Sequence, residues 1–134
     1  MFPDCKAGTP EHFHEWRKRV KDLYYQIGLL CPIWPEQMTA VAAELKYLSE
    51  RLGDDHDLFL LLEPDTFKSL AKQARAEAEA LRGLINERQK ELRARALAMG
   101  ARFYQEKPRL FCQRLGQYWK RWRREPERLA QQIA

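Results

Sequence analysis

Residues 12–25 read HFHEWRKRVKDLYY, and their pattern predicts an amphipathic α-helix. Apolar side chains recur here at three- and four-residue intervals, which places them in one stripe and is typical of a buried helix face. The stripe continues beyond this stretch and comprises Phe13, Trp16, Val20, Leu23, Tyr24, Ile27 and Cys31. Thr9 and Pro10 are residue types favoured at the N-cap and at the first helical position. We therefore predict a first helix from about Pro10 to Leu30, which the following Pro32 ends.

The rest of the chain shows the same helical periodicity, interrupted at prolines. No stretch alternates apolar and polar residues for long enough to predict a strand. Three further helices are predicted, over residues 36–63 with a kink or cap at Gly53, over residues 65–105, and over residues 107–125. Four amphipathic helices joined by short breaks indicate an all-α, antiparallel four-helix bundle. The predicted organisation is a flexible leader over 1–9, the bundle over 10–125 and a C-terminal tail over 126–134.

The charge and the cysteine content restrict the partners and the compartment. The chain carries 24 Lys and Arg against 19 Asp and Glu, a formal charge of +5, so its electrostatic field favours anionic partners. Its three cysteines, Cys5, Cys31 and Cys112, show no CxxC spacing, and no secretory signal precedes them. We expect reduced thiols, with Cys31 and Cys112 in the core, in a cytoplasmic protein that does not enter membranes.

One sector of the first helix is basic. On a wheel of about 100° per residue, five side chains fall within a sector of roughly 100°. They are His14, Arg17, Lys18, Lys21 and Tyr25. Glu15 and Asp22 are expected to project elsewhere and to leave these charges uncompensated. Arg can bind phosphate oxygens through two donors, and the rise of roughly 10 Å from His14 to Lys21 spans several linked phosphates. The pattern predicts either a polyanion site or an ordinary solvated face.

The predicted fourth helix carries a second basic row. Lys107, Arg114 and Arg121 recur every seven residues along one border of an aromatic stripe. This row indicates either a second anion-binding surface or long side chains that cover the edge of the core. Trp119 and Trp122 lie in the stripe itself, and we expect them to pack in the core.

Other chemistries also have some support in the sequence. His56 and Asp57 stand together, but a metal site needs further ligands from other helices, and His12 and His14 point about 200° apart. We therefore expect no metal, no cofactor and no catalytic residue. A nucleic-acid-binding bundle is the main alternative, because the same charges attract any phosphate backbone and a side chain such as Trp34 can stack on bases. A structural or oligomerisation bundle is the other alternative.

Three stretches of the chain resemble motifs of one protein family. HFHEWRKRVKDLYY contains His14, followed by Arg17, Lys21 and Tyr25 at offsets of three, seven and eleven residues. LKYLSERLGDDHDLFLL, residues 45–61, contains a Leu-Gly pair, an acidic spacer and a His-Asp pair. FYQEKPRLFCQRLGQYWKRW, residues 103–122, is similar to a closing helix. In this order the three motifs resemble the C-terminal half of the CHAD domain, the conserved histidine α-helical domain.

The resemblance implies a fold equivalent to one half of a CHAD domain, because family domains typically comprise two related four-helix bundles around a basic channel. It implies binding of inorganic polyphosphate without turnover, and association with polyphosphate granules. It also implies a partner for the missing half, either a second copy or a separate N-terminal half. Asp57 is expected to orient a neighbouring His or Arg. The candidate polyphosphate-binding residues are His14, Arg17, Lys18, Lys21, Tyr25, Lys46, His56, Lys107, Arg114 and Arg121.

Overall fold

The computed structural model describes residues 8–133, and of residues 127–133 it describes the backbone alone. The chain forms five α-helices over this range, with a short 3-10 turn at Cys31–Ile33. The helices are α1 (Pro10–Leu29), α2 (Pro35–Leu61), α3 (Pro64–Gln73), α4 (Arg75–Phe103) and α5 (Pro108–Ile133). The predicted all-α bundle is confirmed. Residues 1–7 of the predicted leader lie outside the described residues.

The first helix begins where the sequence predicts. Thr9 is the N-cap, with extended backbone, and its Oγ1 accepts a hydrogen bond from the backbone N–H of His12 at 3.4 Å. Pro10 occupies the first turn, where its missing N–H leaves no hydrogen bond unmade. The start of α1 therefore agrees with the local chemistry of its first residues.

The predicted third helix is two helices, because the chain breaks at Ala74, whose φ of −150° and ψ of 79° are not helical. The break lets α3 fold back against α4. Phe67 is buried, and the guanidinium carbon of Arg82 lies 4.1 Å from the centre of its ring. Phe67 and Arg82 are fifteen residues apart, so in one straight helix they would be separated by about 22 Å. The helix α2 runs through Gly53 to Leu61, so of the two alternatives predicted at Gly53 the C-terminal cap is wrong.

The last helix extends beyond the predicted end near residue 125. It continues through Pro126 to Ile133, over residues assigned to a tail. A proline within a helix removes one intrahelical hydrogen bond and crowds the preceding turn. The neighbouring Glu, Arg, Leu, Ala and Gln residues favour helix, and the helix continues past this proline.

The core lies between α1, α2 and α4. Its buried residues are Phe13, Trp16, Val20, Ile27, Met38, Leu45, Leu48, Leu52 and Ala96. From α5, Phe111, Leu115 and Tyr118 are partly buried against this core. No helix in the described range is long and apolar enough to cross a membrane.

The prediction that Trp119 and Trp122 pack in the core is wrong. Trp119 is 44% exposed and Trp122 is 36% exposed, although both lie on the apolar side of α5. The core does not reach this part of the helix, where the nearby surface is the 3-10 turn after α1. Cys112 is likewise exposed, whereas Cys31 is partly buried. Periodicity identified the apolar face, but it could not indicate where the covering helices end.

Candidate anion-binding site

Two histidines from separate helices meet at one side of the bundle. The rings of His14 on α1 and His56 on α2 stack, with centroids 4.4 Å apart and an interplanar angle of 29°. The ring of Phe59 lies on the other side of this region, with its centroid 6.5 Å from that of His56. The hairpin formed by α1 and α2 therefore joins the first two sequence motifs in one site.

Arg17 lies one turn along α1 and packs beside Gly53 of α2. A Cβ atom built on Gly53 would lie in van der Waals contact with Arg17, 3.5 Å from its Nε and 3.9 Å from its Nη2, so the guanidinium lies close to α2 at this residue. The pairs His14–His56 and Arg17–Gly53 establish an antiparallel register. Extended along both helices, this register places Lys21 and Lys46 further along the same line of contact, which we call the α1/α2 seam.

The polar groups of the seam are poorly neutralised. Nδ1 of His14 and Nε of Arg17 are buried, and neither has a hydrogen-bond partner within the described part of the chain. Burial lowers the pKa of His14 below its ordinary value of 6.5, and the positive charges of His56, Lys18 and Arg17 lower it further. Glu15 acts in the opposite direction but does not cancel these effects. The seam is thus cationic, with donors that an anion could satisfy.

Lys18 differs from the other cations of this surface. Its Nζ lies 2.6 Å from Oε1 of Glu15, and both side chains are largely exposed. The expectation that Glu15 projects away from the basic sector is therefore wrong, because residues three apart are neighbours on a helix. Exposed pairs of this kind contribute little stability, so Lys18 can exchange Glu15 for another anion at small cost. Tyr25 is 61% exposed, and its ring contacts Tyr24 at a centroid distance of 5.3 Å.

Arg114 of the second basic row is engaged in a different interaction. Its Nε and Nη2 donate to the two carboxylate oxygens of Glu106 at 3.1 and 2.8 Å, and its Nη1 donates to the hydroxyl of Tyr118 at 3.4 Å. These hydrogen bonds raise the pKa of Arg114, and the bonds to Glu106 have the largest effect. An anion would therefore have to compete with a bidentate carboxylate.

The second row also lies far from the histidine pair. Arg114 lines a cavity with Val41, which stands fifteen residues before His56 on α2, a distance of about 22 Å along the helix. Arg121 lines a groove with Trp34 and Trp122 near the 3-10 turn, while Lys107 is exposed just before α5. The structure therefore brings His14 and Arg17 of α1 together with α2 at His56 and Gly53, whereas the candidates at and within α5 lie elsewhere.

An ion pair between α2 and α4, which was not predicted from the sequence, involves the residue directly before His56. Asp55 is only 3% exposed, and its Oδ1 accepts a hydrogen bond from Nε of Arg93 on α4 at 2.7 Å. Nε2 of Gln89 donates to the backbone oxygen of Asp55 at 3.2 Å, and the guanidinium of Arg93 lies over the ring of Phe13. Asp57, the predicted orienting carboxylate, is exposed.

A signal for Asp55 was present in the helical periodicity. It continues the spacing of the buried Leu45, Leu48 and Leu52, so it falls in the apolar stripe of α2. A carboxylate at a stripe position requires a cationic partner, because an unpaired charge in the core is costly. Arg93 is that partner. In the part of the chain that the structure describes, no three His, Cys, Asp or Glu side chains converge as a metal site would require.

Comparison with known proteins places the first two motifs in a family. The CHAD domain matches residues 2–64, which include the whole of α1 and α2 and end before α5. Searches of curated proteins and of solved structures found no significant match. The match covers both histidines of the seam, together with Arg17, Gly53 and Asp55. The predicted resemblance to the CHAD family is thereby confirmed over residues 2–64.

Proposed function

We propose that this chain binds inorganic polyphosphate along the α1/α2 seam without turning it over. Some members of the CHAD family bind polyphosphate, and the family generally serves as a binding domain. The observation that carries the proposal is the meeting of His14, His56 and Arg17, with buried nitrogen atoms that lack partners among the described residues. An anion with several phosphate oxygens could satisfy these donors and compensate the charge.

The residues of the seam fit a linear polyanion better than a single phosphate ion. Arg17 and Lys21 lie one turn apart on α1, and Lys46 lies further along the register on α2. A row of cations can contact successive phosphates of one chain, and each contact releases a counterion. Within a cell that stores polyphosphate, we propose that the same interaction holds this protein on polyphosphate granules.

A competition assay tests the proposed ligand. Fluorescently labelled long-chain polyphosphate is bound to the protein at roughly 0.15 M salt, where surface charges are substantially screened. It is then displaced by unlabelled polyphosphate, single-stranded DNA, duplex DNA or RNA at equal phosphate concentration. We expect polyphosphate to compete best. Equal or better competition by a nucleic acid would contradict the proposal, as would the absence of polyphosphate binding.

The second candidate function is binding of single-stranded nucleic acid, which the far end of α5 favours. Trp119 and Trp122 are exposed there, and Trp34 and Arg121 line the adjacent groove of about 630 Å³. Exposed indole rings beside cations can stack on bases while the cations contact the phosphates. Direct titration of labelled single-stranded RNA with the wild-type chain and with Trp122→Ala tests this function, which predicts that the substitution weakens RNA binding.

We also propose that this bundle pairs with a second bundle, either another copy or a separate N-terminal half. Leu84 is 70% exposed, and further large apolar side chains are exposed at the end of α2 and along α3 and α4. They include Leu60, Leu61, Leu70 and Leu81. Apolar surface of this kind commonly marks an interface. Multi-angle light scattering at high micromolar concentration should give the mass of a dimer for the isolated chain, and a monomer would contradict self-pairing.

A further inference from the structure

We propose that the stacked His14–His56 pair takes up a proton when a phosphate chain enters the α1/α2 seam, so that binding strengthens as the pH falls. This inference rests on the proposed function and concerns the regulation of the same site. An arginine or lysine would hold its charge throughout the physiological range, whereas imidazole changes charge within it. A histidine pair therefore makes the charge of the seam adjustable.

The geometry disfavours a proton on His14 in the absence of an anion. The rings are stacked at 4.4 Å, so two imidazolium charges would repel each other across this contact. Nδ1 of His14 is buried and has no acceptor among the described residues, which makes a proton on this atom costly. The lowered pKa of His14 agrees with this arrangement, since burial is its main cause and the neighbouring cations add to it.

Among the residues that the structure describes, the charged groups nearest in sequence to the pair do not supply a counterion. On α1, Arg17 and Lys18 are positive, and Glu15 is already paired with Lys18. On α2, Asp55 is bound to Arg93 of α4, and Asp54 lies 3.4 Å from Arg51, while Asp57 is exposed. The carboxylates nearest in sequence to His14 and His56 are thus paired or directed to solvent, and an incoming phosphate chain would supply the negative charge.

The sign of the pH dependence follows from linkage. A phosphate anion beside His14 favours the imidazolium and raises its pKa, so the complex binds more protons than the free protein. Affinity is then greatest below the pKa of the free site and declines as the pH rises through the pKa of the complex. The change can reach about tenfold per pH unit for each proton taken up.

Isothermal titration calorimetry of the full chain with long-chain polyphosphate tests the proposal. Titrations near pH 7 in PIPES and in Bis-Tris, which differ in ionisation enthalpy, measure proton uptake directly, and affinity is followed from about pH 5.5 to 8. We expect proton uptake in the wild-type chain and its loss in His14→Gln/His56→Gln. The matched control is His12→Gln, because His12 is exposed on α1 and contacts Thr9 instead of the seam.

The outcomes separate this inference from the proposed function. Binding without proton uptake would overturn the inference and leave polyphosphate binding standing. Proton uptake that persists in the double variant would also overturn it, because the proton would then bind elsewhere. No binding by the wild-type chain at any pH would instead refute the proposed function. The imidazole resonances of His14, followed by NMR with and without polyphosphate, give its pKa in the wild-type chain without relying on a variant.

Discussion

The double substitution Arg17→Ala/Lys21→Ala is expected to weaken polyphosphate binding by about 10- to 100-fold near physiological salt, because two charge-assisted contacts are lost. Arg17 sits beside Gly53 with its Nε buried and unbonded within the described residues, so the substitution removes a donor available to the ligand. Lys21 extends the cationic row by one turn. The decisive measurement is affinity as a function of salt concentration. In a plot of the logarithm of the binding constant against the logarithm of the salt concentration, the slope is negative. By analogy with single-stranded nucleic acids, its magnitude should decrease by about 0.7 for each lost phosphate contact.

The matched control is Arg88→Ala/Lys90→Ala. It removes the same two residue types and the same net charge from α4, where Arg88 pairs with Glu91 and Lys90 pairs with Glu87. If attraction by overall charge were sufficient, both double variants would lose the same affinity. If the site is specific to the seam, the control variant should keep most of its affinity for polyphosphate and nearly all of the salt dependence of binding. Unchanged binding by the Arg17/Lys21 variant would refute the site.

The substitution Asp55→Ala is expected to lower the free energy of unfolding by about 2–4 kcal/mol, somewhat less than the loss of one partner from a fully buried ion pair, because Arg93 keeps some contact with solvent. The carboxylate joins α2 to α4 directly beneath the histidine pair. Its removal leaves the guanidinium of Arg93 without a counterion in a low-dielectric surrounding. Urea denaturation followed by circular dichroism at pH 7 gives the free energy.

Asp57→Ala provides the control for this experiment. Asp57 lies two residues further along α2 and is exposed, so its substitution should change stability by no more than about 0.5 kcal/mol. The free energy of unfolding of Asp55→Asn should lie between those of Asp55→Ala and Asp57→Ala. The amide oxygen of Asn can still accept a hydrogen bond from Arg93, but it carries no charge. Equal stabilities of the Asp55→Ala and Asp57→Ala variants would show that the buried ion pair does not hold α2 to α4.

Much of the helical organisation follows from local sequence. Thr9 and Pro10 fix the start of α1 through hydrogen bonding and backbone geometry, and both effects act within a few residues. The apolar spacing predicts which sides of α1 and α2 are buried, because a regular helix converts spacing directly into direction. The break at Ala74 was not predicted, since alanine itself favours helix and only the packing of Phe67 against α4 requires the chain to turn.

The candidate site likewise combines features that follow from local sequence with features that depend on the packing of helices. The helical and cationic character of the chain follows from its sequence, as does the position of His14, Arg17 and Lys21 on one side of α1, because helix geometry relates positions a few residues apart. The stacking of His14 on His56, the bond between Arg114 and Glu106 and the burial of Asp55 are seen only in the folded chain. These pairings depend on the register between helices. That register is decided by the packing of the whole core, so the spacing within any one helix cannot reveal it.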